Sequence, residues 1–252
     1  MQLPPIVSNP TKEVYNAWNA NTQIEGLKTY ALGTDVKSYR IITTFRLTKA
    51  SAKLTGIFYS NRFRSVQKET VNFSLCSSHL FPLGGGAIYY YTQDFTNGIV
   101  SGTGLNIVDK VVNEICKNYP NRSLAIISPF NDTVKQLQKS FLTDSSLDDF
   151  TIETIDRIQG MTVDYAILYI PGRNPGFALD ERRFNVATSR SRTTTLIVSD
   201  IPLTNMHSIS PKVASFIMNC QTLDETSIMD CHESEVYMIL LSEMRLKLSI
   251  PV

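Results

Sequence analysis

Tyr165-Ala166-Ile167-Leu168-Tyr169-Ile170 is the stretch that decides the fold. It is too short for a helix of ordinary length and rich in β-branched and aromatic side chains. A strand with one wet face alternates apolar and polar residues. An uninterrupted apolar run instead needs both faces covered, as in a parallel sheet with helices above and below. Leu124-Ala125-Ile126-Ile127-Ser128 and Thr195-Leu196-Ile197-Val198-Ser199 repeat the pattern, and Ala87-Ile88-Tyr89-Tyr90-Tyr91 is a shorter β-prone run. Thr151-Ile152-Glu153-Thr154-Ile155 alternates.

The segments between these runs carry helical spacing. Leu105, Val108, Val111, Val112, Ile115 and Tyr119 form one such series. Val134, Leu137 and Phe141 form another, with a cap expected at Asn131 or Asp132. Strands alternating with amphipathic helices predict an α/β class with a doubly wound, mostly parallel sheet.

The chain has 252 residues, 42% hydrophobic and 19% charged, which is enough for a substantial core. A formal net charge of +1 says little about partners, but its distribution is uneven. From Tyr39 to Lys68 there are seven basic residues and no acidic one. Asp144–Asp156 is acidic, as is the stretch through Asp224, Glu225, Asp230, Glu233 and Glu235. Such segregation suits nucleic-acid binding without establishing it. Four scattered cysteines (Cys76, Cys116, Cys220 and Cys231) include no Cys-x-x-Cys pair, and Cys76 with His79 lacks a matching second pair, so no metal site is expected. No apolar run approaches the ~18 residues of a membrane span, and no signal peptide is evident. A soluble, cytoplasmic protein is the expectation.

The flanks differ from the middle. The first part carries Pro4, Pro5, Pro10, Gly26 and Gly33, with Tyr15 and Trp18 on a short helix. Leu47, Ala50, Leu54, Ile57 and Phe58 predict a helix from Leu47 to Tyr59. After Cys220 an acidic loop leads to an amphipathic helix through Tyr237, Ile239, Leu240, Met244 and Leu246. The expected organisation is an irregular segment over 1–38, a central domain over 39–204 and a helical extension over 205–252. Gly84-Gly85-Gly86 lacks the Gly-Lys-Ser/Thr ending of a phosphate loop and reads as a flexible turn.

Arg182-Arg183-Phe184-Asn185-Val186-Ala187-Thr188-Ser189-Arg190-Ser191-Arg192 holds four arginines in eleven residues just before the Thr195–Ser199 run. It reads as a helix whose guanidiniums sit at a sheet edge facing an anion. The plainer reading is a basic surface helix paired with Asp180 and Glu181. Ligands of doubly wound sheets gather at carboxyl ends of strands, often beside a helix N-terminus. Two places fit: Ser128-Pro129-Phe130-Asn131, and Thr154-Ile155-Asp156-Arg157-Ile158-Gln159-Gly160.

Taken in order, these blocks resemble the second RecA-like domain of superfamily 1 helicases, in the branch of the nonsense-mediated-decay and nidovirus enzymes. Gln2-Leu3-Pro4-Pro5 looks like the end of motif III and Thr44-Phe45-Arg46-Leu47 like motif IV. Ser128-Pro129-Phe130-Asn131 resembles the Ser/Thr-Pro-Tyr block. Thr154–Gly160 resembles motif V, and Arg183–Arg192 resembles motif VI. The blocks span roughly half the chain. The resemblance implies a RecA-like fold, here without its own P-loop. It implies ATP and Mg2+ held mainly by a separate N-terminal RecA-like domain, and a single-stranded nucleic-acid track.

The same resemblance implies roles for single residues. Arg190 would be the arginine finger and Arg46 a second catalytic cation, with Gln2 sensing the γ-phosphate. Phe45 would stack on the base. Gln159, with Gly160, would link nucleotide and strand. Ser128, Pro129, Asn131, Thr154 and Asp156 would face the sugar-phosphate backbone, and Asn185 would order the motif VI turn. Arg46 also suits a salt bridge on its own helix, and Asp156 suits a helix cap. Family members favour 5′→3′ movement.

Thr162 stands where the family often has a glutamate, and Ser191 where alanine is common. No Gly-x-x-x-x-Gly-Lys-Ser/Thr and no Asp-Glu pair ending an apolar strand occur, so phosphate cradling and magnesium binding lack their usual residues. The expectation is a piece of a longer motor, or a reading frame begun at an internal methionine, with no ATP hydrolysis alone. The rival readings are a nucleic-acid-binding or adaptor domain that kept the fold, and a structural α/β domain.

Overall fold

The computed structural model describes residues 41–67, 84–94, 99–141, 149–203 and 209–223. Gln2, the helix expected around Tyr15 and Trp18, the Cys76–His79 pair and the helix through Met244 lie outside these residues.

In chain order the strands are β1 (Thr43–Thr44), β2 (Arg64–Ser65), β3 (Gly86–Tyr91), β4 (Leu124–Ser128), β5 (Phe150–Thr154), β6 (Val163–Ile170), β7 (Ser191–Ser199) and β8 (Gln221–Thr222). The helices are α1 (Lys49–Gly56, continued by a 3-10 turn at Ile57–Tyr59), α2 (Gly102–Asn118), α3 (Asn131–Phe141), α4 (Pro175–Ala178), α5 (Glu181–Thr188) and α6 (Pro211–Met218). The main sheet has six strands in the order β5-β4-β6-β7-β3-β8, all parallel. β1 and β2 form a separate parallel pair.

The apolar runs take the places their composition requires. Every residue of β4 and β6 is buried. Adjacent residues point to opposite faces, so Ile126 and Ile127 enter two different cores. Burying each contributes about 1.5–3 kcal/mol. α2 and α3 cover one face through Val108, Val111, Ile115, Val134 and Leu137. The other face is covered by Phe58, Ile155, Ile158, Leu179, Phe184, Val186, Val213 and Phe216. The β3-to-β4 and β4-to-β5 connections move one way along the sheet and the later ones move back. Crossovers of one hand then place the two sets of connectors on opposite faces. The sheet is doubly wound.

Local chemistry sets the helix starts. The Thr48, Ser101 and Ser210 side chains accept from Ser51, Gly104 and Val213 backbone N–H groups. α6 and β8 lie beyond residue 204 and still join this domain, with β8 pairing β3.

Three sequence expectations change. No helix follows β5: residues Ile155–Gly160 form turns that lead to β6, with Ile155 and Ile158 buried against the sheet. Asp156 is therefore an exposed turn residue and not a helix cap. The glycine triplet is not a loose spacer. Gly85 has φ +83° and a Cβ there would lie 2.4 Å from the Thr193 carbonyl oxygen, so its hydrogen allows α1, β3 and β7 to close up.

Candidate functional site

The chemistry-bearing residues fall on two opposite edges of the sheet. At the amino edge, α5 ends at Thr188 and β7 begins at Ser191, so Arg190 sits past the helix expected to contain it. β7 lies between β6 and β3, in the sheet's interior and not at its margin. The Val163 N–H donates to the Arg190 carbonyl oxygen (3.2 Å) and the Thr48 N–H to that of Arg192 (3.3 Å). These bonds bring the starts of β6, β7 and α1 together.

The Arg190 guanidinium is half-buried and held by its own neighbourhood. Nε donates to the Val186 carbonyl (2.8 Å), Nη2 to Ser189 Oγ (3.0 Å) and Nη1 to the Met161 carbonyl (3.4 Å). Burial, and then the positive charge of Arg46, push its pKa down to about 10, with Tyr59 acting the other way. It stays charged at neutral pH. Among the described residues, no carboxylate pairs with Arg46 or Arg190. The salt bridge considered for Arg46 is not formed there. The Arg46 charge acts against the charged form of Arg190, an effect that an anion held near both would relieve.

Phe45 and Arg46 sit on a braced loop. The Arg46 N–H donates to Thr44 Oγ1 (3.1 Å), and Gln67 Nε2 donates to the carbonyls of Phe45 (2.6 Å) and Arg46 (3.1 Å). Phe45 is 78% exposed. Gln67 is a brace that sequence reading missed, since only its partner strand shows what it reaches. Gln159 and Gly160 are exposed beside Met161, and Gly160 has φ +95°.

At the carboxyl edge, Ser128 pairs with Thr154 in the β4–β5 register, and the Ile155 N–H donates to the Ser128 carbonyl (3.2 Å). Ser128 is fully buried, Pro129 and Thr154 are buried, and Asn131 and Asp156 are exposed. The structure thus brings Ser128, Pro129, Asn131, Thr154 and Asp156 to one edge and Phe45, Arg46, Gly160 and Arg190 to the other. Phe45, Arg46 and Arg190 lie away from the carboxyl ends of β4 and β5.

Other members of the arginine cluster have settled roles. Asp180 caps α5 by accepting from the Arg182 and Arg183 N–H groups, and Glu181 pairs with Lys212 (2.7 Å). Asn185 lies in the helix, buried, with Nδ2 donating to the Tyr59 hydroxyl (3.3 Å). It ties α5 to the 3-10 turn after α1, and its backbone carbonyl accepts from the Ser189 N–H (3.1 Å) where the helix ends.

Comparison with known proteins bears on the same region. Residues 88–202, from β3 to just past β7, match the family model described as an AAA domain. Over 88 residues the chain is 38% identical to the DNA polymerase alpha-associated DNA helicase A of Saccharomyces cerevisiae.

Residues 88–202 thus resemble an AAA domain, and part of the chain resembles a DNA helicase.

The aligned part is 33% of this chain and 13% of the yeast protein, so the match spans a small fraction of that relative's length. Among solved structures, the C-terminal domain of a possible DNA helicase from Lactobacillus plantarum WCFS1 is 12% identical. It covers 72% of this chain and 99% of its own, with a TM-score of 0.43. Domain III of the Thermotoga maritima replication initiation protein DnaA is 13% identical, covers 64% of this chain and 65% of its own, and has a TM-score of 0.33. No described helix is long and apolar enough to cross a membrane.

Proposed function

We propose that this chain is the C-terminal motor half of an ATP-dependent helicase. The observation that carries the reading is the Arg46–Arg190 pair at the amino edge, two guanidiniums that repel each other with no carboxylate partner among the described residues. A triphosphate held by a facing domain relieves that repulsion. Arg190 is the finger, placed to neutralise charge on the transferring γ-phosphoryl group. Arg46 lies beside it, and Phe45 offers an exposed ring for the base. Gln159 and Gly160 stand at the turn joining the two edges. Gln2 belongs to the same set by its motif.

The residues present suit only part of ATP chemistry. Cations for phosphate are here, whereas the phosphate loop and the magnesium-binding acids are absent from the sequence. ATP and Mg2+ are therefore assigned mainly to an N-terminal RecA-like domain acting with this one. Single-stranded nucleic acid runs over the carboxyl edge, where exposed Asn131 and Asp156 contact its backbone rather than base identity. Buried Ser128, Pro129 and Thr154 form the floor beneath them instead of touching the strand as their motifs implied.

The test is ATPase activity with single-stranded DNA or RNA, for the chain alone and combined with a RecA-like half that supplies the phosphate loop. Turnover only in the combination, lost with Arg190→Ala, supports the reading. Robust turnover by the chain alone, abolished by Arg190→Ala, overturns the claim that it needs a partner half. Salt-sensitive strand binding with no ATP response in the combination favours the adaptor reading instead.

A further inference from the structure

Beyond the carboxyl ends of β4 and β6, four side chains from separate segments lie in one column. The Arg173 guanidinium covers the Phe130 ring at 4.7 Å. Phe130 and Phe177 stack with centroids 5.6 Å apart and planes inclined by 28°. Arg183 covers Phe177 at 4.1 Å. Phe130 follows β4, Arg173 follows β6, Phe177 belongs to α4 and Arg183 to the first turn of α5. The order is cation, ring, ring, cation.

The stacking leaves the guanidinium donors largely unused. A cation over a ring gains about 0.5–2 kcal/mol from the ring's negative face, without a hydrogen bond. Among the described residues, the Arg183 side chain has no hydrogen-bond or ion-pair partner, and its Nε is buried. Arg173 has one partner, the Asp132 carboxylate, and its Nε is also buried and unpartnered. Arg183, half-buried with idle donors, is costly until an anion meets it, and Arg173 spends one donor on Asp132 and keeps a buried Nε without a partner. The rings cannot serve as base-stacking platforms, because each has both faces covered. What the column offers is two fixed charges separated by a rigid aromatic spacer. Phe130 lies between Pro129 and Asn131, so the column adjoins the proposed strand track.

We propose that Arg173 and Arg183 grip two backbone phosphates of a single-stranded nucleic acid, with Phe130 and Phe177 fixing the distance between them. The proposal rests on the strand reading above and adds two phosphate contacts to it. Such grips hold the strand without reading sequence.

The probe is a labelled oligothymidine, with oligouridine in parallel, titrated with this chain across a salt series. Single-strand binding loses about 0.7 of logarithmic salt slope per phosphate contact removed. Arg173→Gln and Arg183→Gln should each flatten the slope by about 0.7, and the double variant by about twice that. Arg173→Lys and Arg183→Lys keep the charge and should keep the slope. Phe177→Ala keeps every charge and should still weaken binding several-fold by freeing the spacer. Circular dichroism melts confirm that each variant is folded. If both glutamine variants bind with wild-type slope while Asn131→Ala weakens binding, the grip is wrong and the track stands. If the wild-type chain binds neither probe, the strand reading fails and this proposal fails with it.

Discussion

Arg183 and Arg190 bracket a single helix, the first in the opening turn of α5 and the second two residues beyond its end. Seven residues of helical rise separate them by roughly 10 Å. Arg183 stands with Phe130 and Phe177 at the carboxyl edge, while Arg190 meets the Met161 carbonyl at the amino edge. One short element therefore touches both candidate ligand surfaces. A displacement of α5 at one end would be felt by Arg190 at the other.

Replacing the finger separates chemistry from stability. In a combined motor, Arg190→Ala should lower turnover by about 10³ or more, the range for arginine fingers. Two of its three hydrogen bonds go to local acceptors and the third, to Met161, is long at 3.4 Å and exposed, so the thermal midpoint should move little. Steady-state ATPase assays with a calorimetric scan check both halves.

Phe45 should be a binding residue with no structural duty. It is 78% exposed. Phe45→Ala should leave the denaturant midpoint unchanged and raise KM for ATP about tenfold, as loss of about 1.4 kcal/mol of stacking would. An unchanged KM would remove the adenine contact.

Gly104→Ala sets helix propensity against packing. Alanine gains up to about 1 kcal/mol over glycine within a helix. Here its Cβ would lie 2.4 Å from the Tyr169 hydroxyl and 2.8 Å from Ser101 Oγ. Those groups bond buried Asp200: Tyr169 donates to Oδ2 (2.6 Å), and Ser101 Oγ (2.6 Å) and Thr92 Oγ1 (2.9 Å) donate to Oδ1. Crowding them costs about 1–3 kcal/mol, so the net effect is destabilising. Urea titration gives the sign.

Three buried tyrosines make the fold sensitive to alkali. Burial raises Tyr89 to about 12, and raises Tyr165 and Tyr169 further, with the Asp200 bond adding to the effect at Tyr169. Raised values mean the folded state keeps protons that the unfolded chain releases above its ordinary 10.0. This stability is complete below that pH and is lost as pH rises toward the folded values. Denaturant midpoints should fall above about pH 10, with the tyrosinate absorbance of these residues appearing together with unfolding. Tyr169→Phe should reduce the slope and leave Asp200 short of a donor, costing about 1–3 kcal/mol at neutral pH.

Much of the frame was legible in the order of residues. The apolar runs at Leu124–Ser128 and Tyr165–Ile170 marked buried strands because side chains alternate faces and no polar residue interrupts them. Val108, Val111 and Ile115 marked a helix face for the same kind of reason. The motif blocks placed Arg46 and Arg190 on one list of residues. The turn after Thr154 was misread, since a buried Ile158 suits a helix and an irregular crossover equally. Arg173 and Phe177 went unremarked because nothing in Gly172-Arg173-Asn174-Pro175-Gly176-Phe177 shows that Phe130 waits to receive them.

The sequence by itself determined the α/β class, the positions of the strands and the absence of a phosphate loop, because periodicity and motif spacing are local properties of the chain. Only the tertiary structure decided that β4 would sit between β5 and β6. It alone also brought Arg46 and Arg190 to the amino edge, and Arg173 and Arg183 against two stacked rings at the other. Those relations depend on which faces pack and how far each connection reaches. Residues distant in the chain become neighbours only when the sheet closes.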